Sequence, residues 1–169
     1  MKHFSKILGL FTLFIITLAC NSSNDNFLEC VVYEGPLDAI ETPFVGTWSL
    51  TAIESNQAVD LTDDDEDNPL IDIFVQSSDC ENDAVYTFLD SRNYKFEQGL
   101  SVQGCTKTVI NTGTWKYSTD LLQISNECLN YNLEITLNET EFAFENNVTI
   151  VDIEGRTSSA KFTYTYTKN

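Results

Sequence analysis

Val45-Gly46-Thr47-Trp48-Ser49-Leu50-Thr51 is where the chain turns into β-sheet sequence. Trp48, Leu50 and Ala52 alternate with Thr47, Ser49 and Thr51, the period of two that a half-buried strand requires. The motif is echoed once, as Gly113-Thr114-Trp115-Lys116-Tyr117, and the two copies hold both tryptophans of the chain. Glycine lets the backbone pass close to its neighbours.

Downstream the same period recurs. Asn56-Gln57 reads as a turn, and Asp60–Pro69, almost entirely acidic or amide residues, cannot be a strand. For Leu70–Ser77, Pro69 suits a first helical position, and Leu70, Ile73 and Phe74 fall on one helical face. The spacing therefore predicts a short helix, although the β-branched Ile71, Ile73 and Val75 favour a strand. Residues 84–89 and 94–97 flank the turn-rich Asp90-Ser91-Arg92-Asn93, a hairpin. Further strands follow at 106–118, 120–125, 129–137, 141–153 and 161–167, with Glu154-Gly155-Arg156 as a turn. About eight strands with short links make an all-β, up-and-down antiparallel barrel, with the short helix near one mouth.

Upstream, residues 1–19 are not fold sequence. Lys2, His3 and Lys6 precede an apolar run from Ile7 to Leu18, and Ala19 is followed by Cys20. That is an export signal, too short for a membrane span. The cysteine directly after the cleavage point marks a lipoprotein signal, whose thiol receives a diacylglyceryl anchor; Thr17 stands where leucine is usual. Residues 20–44 then read as a polar tether, Asn21–Asn26, and a less polar lead-in from Phe27 to Pro43. Residues 45–169 form the barrel. The expected location is the outer membrane, with the domain facing either the cell surface or the periplasm.

The formal charge is −17, and losing Lys2 and Lys6 with the leader makes it −19. Such a surface repels nucleic acid and anionic headgroups. The only histidine, His3, leaves with the leader, which removes the commonest general base and every histidine-dependent triad. No Cys-x-x-Cys occurs, so zinc ligation of the usual kind is excluded. If Cys20 carries lipid, Cys30, Cys80, Cys105 and Cys128 remain, an even set in an exported chain. Continuing the register of the hairpin that turns at Ser91-Arg92 brings Cys80 opposite Cys105. Cys30 with Cys128 is then left by elimination and would pin the lead-in to the barrel.

In order and spacing these motifs resemble the lipocalin-like domain of bacterial surface lipoproteins. The likeness runs through Val45–Thr51, Asp60-Leu61, Cys80 ahead of Tyr86-Thr87-Phe88, and Asn93-Tyr94-Lys95-Phe96. It continues through Gly113-Thr114-Trp115, Leu121-Leu122-Gln123-Ile124 and the terminal Thr163–Lys168. It implies an eight-stranded barrel whose floor is plugged by Trp48, at the Gly-x-Trp entry to the first strand, and which binds rather than catalyses; no catalytic residues come with it.

Inward-facing rings are the first candidate site: Tyr86, Phe88, Tyr94, Phe96, Trp115, Tyr117, Tyr131, Phe142, Phe144, Phe162, Tyr164 and Tyr166, with Leu70, Ile73 and Phe74 closing the mouth. They make either a packed core or the wall of a pocket for a small hydrophobic molecule. Asp60, Thr62, Asp64, Glu66 and Asn68 have the alternate spacing of a calcium loop. However, Asp65 stands where a glycine is needed and Ile71 where a bidentate glutamate belongs, so a solvated acidic loop is expected, with no cofactor or metal. The expected function is therefore a monomeric, non-enzymatic, membrane-anchored binder of a small apolar ligand. The alternative is a surface-displayed interaction or adhesion module with a filled core.

Overall fold

The computed structural model describes residues 30–62, 66–151 and 157–169. The expected signal segment, Cys20, the tether as far as residue 29, Asp64 and Asp65, and the expected Glu154-Gly155-Arg156 turn lie outside the described residues. Among those described, nine strands form one antiparallel sheet: β1 (Gly46–Val59), β2 (Leu70–Asp72), β3 (Val85–Phe88), β4 (Asn93–Gln98), β5 (Val109–Ser118), β6 (Leu121–Asn126), β7 (Leu129–Leu137), β8 (Glu141–Val151) and β9 (Thr157–Lys168). β1 pairs with β3 on one side and β9 on the other, which closes β1 and β3–β9 into an eight-stranded up-and-down barrel. β2 is an extra strand on the far end of β1. No helix among the described residues is long and apolar enough to cross a membrane.

Three local expectations are corrected. Asn56-Gln57 is not a turn, because β1 runs unbroken for 14 residues with register shifts after Leu50 and Glu54. Leu70–Ser77 is not a helix either: Leu70–Asp72 pairs with β1, the Ile73 N–H donates to Ile53 O, and a single 3-10 turn follows at Phe74–Gln76. The β-branched residues there meet an unpaired strand edge, and that pairing outweighs the helical spacing. The short α-helix near the mouth is instead α1 (Asp79–Asn82), begun by a capping box in which Ser78 and Glu81 satisfy each other's ends.

Both glycines of the repeated motif have physical reasons. Gly46 has φ +142°, and a Cβ there would lie 2.8 Å from the Lys168 side chain. At Gly113 an added Cβ would meet Ser125 O at 2.0 Å, a collision with backbone that cannot rotate away. The tryptophan after each glycine is completely buried.

The lead-in belongs to the barrel. Cys30 is disulfide-bonded to Cys128 in the two-residue β6–β7 turn. Ser125 Oγ donates to Val31 O, and Tyr33 N–H donates to Thr114 Oγ1 at 3.0 Å. The segment thus runs from the mouth down the outside of β5 and β6, then folds in beneath the floor. There Phe44, wholly buried, has its ring 4.5–5.6 Å from those of Trp48, Phe88, Trp115, Tyr117 and Phe142. Trp48 Nε1 donates to Phe44 O at 2.8 Å. The floor is therefore Trp48 plus the lead-in.

Candidate functional site

Directly opposed residues of an antiparallel pair share a face, so the ladders identify the inner wall. Tyr86 opposes Phe96, Phe88 opposes Tyr94, and Trp115 opposes Ile124, which in turn opposes Tyr131. Phe142 faces Tyr166, and Phe144 faces Tyr164. The two halves of this interior differ. At the floor, Trp48, Trp115, Phe88, Phe142, Tyr117 and Tyr166 are buried in mutual ring contact, closed to core packing. Towards the mouth, Tyr86, Phe96, Leu133, Phe144, Val148 and Tyr164 are only half-buried although they face inward.

The other expected lining residues do not all follow that division, because Phe162, opposite Ser55 and Asn146 in the mouth half, is buried. Tyr94 and Phe162 are buried, and Ile73 is buried beneath the 3-10 turn with Phe74 packed beside it. Tyr131 is 51% exposed at the rim, and Leu70 is 45% exposed on β2, opposite Val59. The half-buried rings of the mouth half thus make an aromatic cup, with Ile73 and Phe74 packed against it and Tyr131 exposed at its rim.

Phenol hydroxyls are the cup's main polar groups. Burial pushes the Tyr86 and Tyr166 phenols well above their ordinary value, and neighbouring phenols (Tyr94 for Tyr86; Tyr86 and Tyr164 for Tyr166) add to it. Burial also raises Tyr94, with Tyr131 contributing, and raises Tyr164. These hydroxyls stay neutral at physiological pH, able both to donate and to accept. A low-dielectric space ringed by neutral hydroxyls suits an uncharged guest with apolar bulk and a few polar atoms.

Beneath the cup lies a group that the periodicity could not show. Glu41 is completely buried, and Arg92, in the β3–β4 turn at φ 65°, is 4% exposed. Arg92 Nη1 and Nη2 donate to the two Glu41 carboxylate oxygens, each at 2.7 Å. Gly35 O, Pro36 O and Trp115 O accept the remaining guanidinium hydrogens. The carboxylate also accepts from Asp38 N–H at 2.6 Å and Tyr117 N–H at 3.1 Å. Burial alone would raise the Glu41 pKa, but the bonds from Arg92, Asp38 and Tyr117 outweigh it and hold the carboxyl below its ordinary range. The pair clamps the lead-in to the floor. The only sequence signal for it was one arginine inside a turn.

Cys80 and Cys105 are bonded, with Cα atoms 5.7 Å apart, although not through the hairpin register. The β3–β4 ladder ends at Val85 opposite Glu97, while Cys80 lies in α1 and Cys105 in the β4–β5 loop. Asp83 brings them together by accepting the Gly99 and Ser101 N–H groups. In the acidic loop, Asp60 accepts from Thr62 N–H, Thr62 Oγ1 and Asn68 N–H. These bonds lower its pKa, Thr62 foremost. No group of three or more metal-ligating side chains is assembled among the described residues.

The fold and the cup define a closed antiparallel β-barrel with a filled floor and a partly open, aromatic mouth, stapled outside by its own N-terminal segment. The chain belongs to the DUF5004 family, described as a domain of unknown function, which it matches over residues 23–169. That span includes the lead-in. No curated protein matches the sequence.

Proposed function

We propose that this protein is a membrane-anchored, lipocalin-like barrel that holds a small, uncharged, largely apolar molecule in its mouth half without transforming it. The observation that carries this is the unequal burial of inward-facing rings. Those at the floor are sealed, whereas Tyr86, Phe96, Phe144 and Tyr164 still reach solvent. A barrel built only as a stable scaffold gains by burying such rings fully, at about 25 cal/mol per Å2 of apolar surface. Binding rather than catalysis fits a wall of hydrocarbon and neutral phenols. The filled floor favours the alternative of a surface-displayed interaction module, and it limits any guest to the upper half.

The test uses N-phenyl-1-naphthylamine, a neutral apolar fluorophore. Saturable binding of one molecule per chain, with quenching of Trp48 and Trp115, is expected. Phe96→Glu, which places a charge on the cup wall, should weaken it at least tenfold, equivalent to about 1.4 kcal/mol. Unsaturable binding, or binding indifferent to Phe96→Glu, would remove the cup from consideration and leave the interaction module.

Two disulfides fit an oxidising compartment outside the cytoplasm. The anchor on Cys20 is part of the proposal, as are a monomeric state and the exclusion of nucleic acid by the strong negative charge, −17 for the full sequence. Cys20→Ala should shift the protein from the membrane fraction to the soluble one, and unchanged membrane retention would refute the anchor.

A further inference from the structure

β7 and β8 meet through only three residue pairs, Ile135 with Phe144, Thr136 with Ala143 and Leu137 with Phe142. Beyond that fork β7 stays on β6 as far as Leu129, and β8 stays on β9 as far as Val151. Each strand keeps one hydrogen-bonded neighbour, and the edges of residues 129–134 and 145–151 that face each other are unpaired among the described residues. Backbone groups of a strand alternate between its two sides. Ile135 N–H donates to Asp120 O on the β6 side, and Asn138 N–H donates to Glu141 O on the β8 side. The N–H and C=O groups of Asn130, Asn132 and Glu134 therefore point into the gap.

A groove of about 1020 Å3 opens at this fork, lined among others by Asp120, Glu134, Phe144, Glu145, Asn147 and Lys161. Lys161 is already bound to Glu145 at 2.9 Å, so the outer side carries an excess of carboxylate. On the inner side, Leu129 and Tyr131 are 58% and 51% exposed. Unsatisfied strand edges beside exposed apolar residues are what an added strand covers.

The geometry points to the β7–β8 seam as an acceptor for an extended segment of a partner protein, basic at alternate positions and apolar between them. The segment hydrogen-bonds to Asn130, Asn132 and Glu134 of β7. Its apolar side chains turn inward over Leu129 and Tyr131, and its basic ones turn outward to Asp120 and Glu134. The β7 edge of six residues spans about 20 Å at 3.3 Å per residue, so the recognised stretch is six or seven residues long. The seam adjoins the cup at Tyr131 and Phe144, and its unpaired strand edges are present whether or not the cup holds a small molecule.

The probe is a blocked heptapeptide alternating lysine and valine, titrated calorimetrically into the whole protein. One-to-one binding is expected, with slowed hydrogen exchange at the amides of Asn130, Asn132 and Glu134. Glutamate in place of lysine should weaken binding at least tenfold. So should N-methylation of alternate peptide amides in one of the two possible frames, while the other frame binds as the parent does. Asn132→Pro removes one donor at the seam, on a side where proline spares the β6 ladder, and should weaken binding similarly. If that variant fails to fold, the methylated peptides still decide. No binding, equal binding by both methylated frames and the parent, or protection confined to other strands would overturn the proposal. Self-association that protects the same amides without peptide would also overturn it, assigning the seam to a second copy of the chain.

Discussion

Glu41→Ala should lower folding stability by about 3–5 kcal/mol, the usual result of stranding one member of a buried ion pair. The Arg92 guanidinium would keep its three carbonyl partners but lose the carboxylate bonded to it, and it cannot escape by giving up its proton. Denaturant unfolding at neutral pH would show the loss as a lower midpoint. Arg92→Met should cost a similar amount, because Glu41 would then be buried with N–H donors alone. A Glu41→Leu, Arg92→Met double variant should recover much of the loss, since removing both charges also removes the desolvation cost. The pH dependence has a definite sign. Glu41 titrates below its ordinary value of 4.5 in the folded state. Its contribution is therefore complete above that value and is lost as the pH falls through the folded pKa. In that acidic window the wild type should lose stability more steeply than Glu41→Gln, which has no proton to take up. Equal slopes would contradict this account of the floor.

The second large effect belongs to Cys30–Cys128, which closes a sequence separation of 98 residues. In the loop-entropy description a closure of that length contributes about 4.7 kcal/mol, so a Cys30→Ala, Cys128→Ala variant should lose about 4–5 kcal/mol. Cys80–Cys105 spans 25 residues, and its removal should cost about 1 kcal/mol less by the same relation. Unfolding curves of the two double variants, recorded under identical oxidising conditions, compare them directly. The longer bridge also holds the upper end of the lead-in, whose lower end is Glu41 and Phe44. Its loss should therefore enhance hydrogen exchange at Tyr33 N–H, which bonds to Thr114 Oγ1, before the barrel itself unfolds. An order of stability opposite to the loop lengths would show that native contacts, not chain entropy, decide the value of these bridges.

Alternation of side chains was enough to read the barrel. In Trp48–Ala52, Leu129–Leu137 and Phe162–Tyr166 one face is apolar and the other polar. A strand with one buried face has no other way to satisfy that pattern, so strand number, order and the inward rings were legible. Two of the turns were less so. Thr119-Asp120 and Glu127-Cys128 connect their strands with positive φ and no glycine, which gives no compositional sign of a tight turn. Leu70–Ser77 misled because helical spacing is a local property, whereas the vacant edge of β1 that captured Leu70–Asp72 is not.

The chain's own pattern determined an all-β closed barrel with tryptophans at its end, four cysteines beyond position 20 and no histidine beyond His3. Tertiary structure alone decided the rest. Glu41 and Arg92 are 51 positions apart and look like ordinary surface charges, yet folding the lead-in under the floor buries both. The Cys80–Cys105 bridge depends on where α1 docks, through Asp83, and not on a ladder that stops at Val85. The depth to which rings fill the barrel, and the fork between β7 and β8, depend on how strands of unequal length close around Phe44. Periodicity says which face a residue occupies; it holds no information on the distance across the barrel, and that distance separates a packed core from a cup.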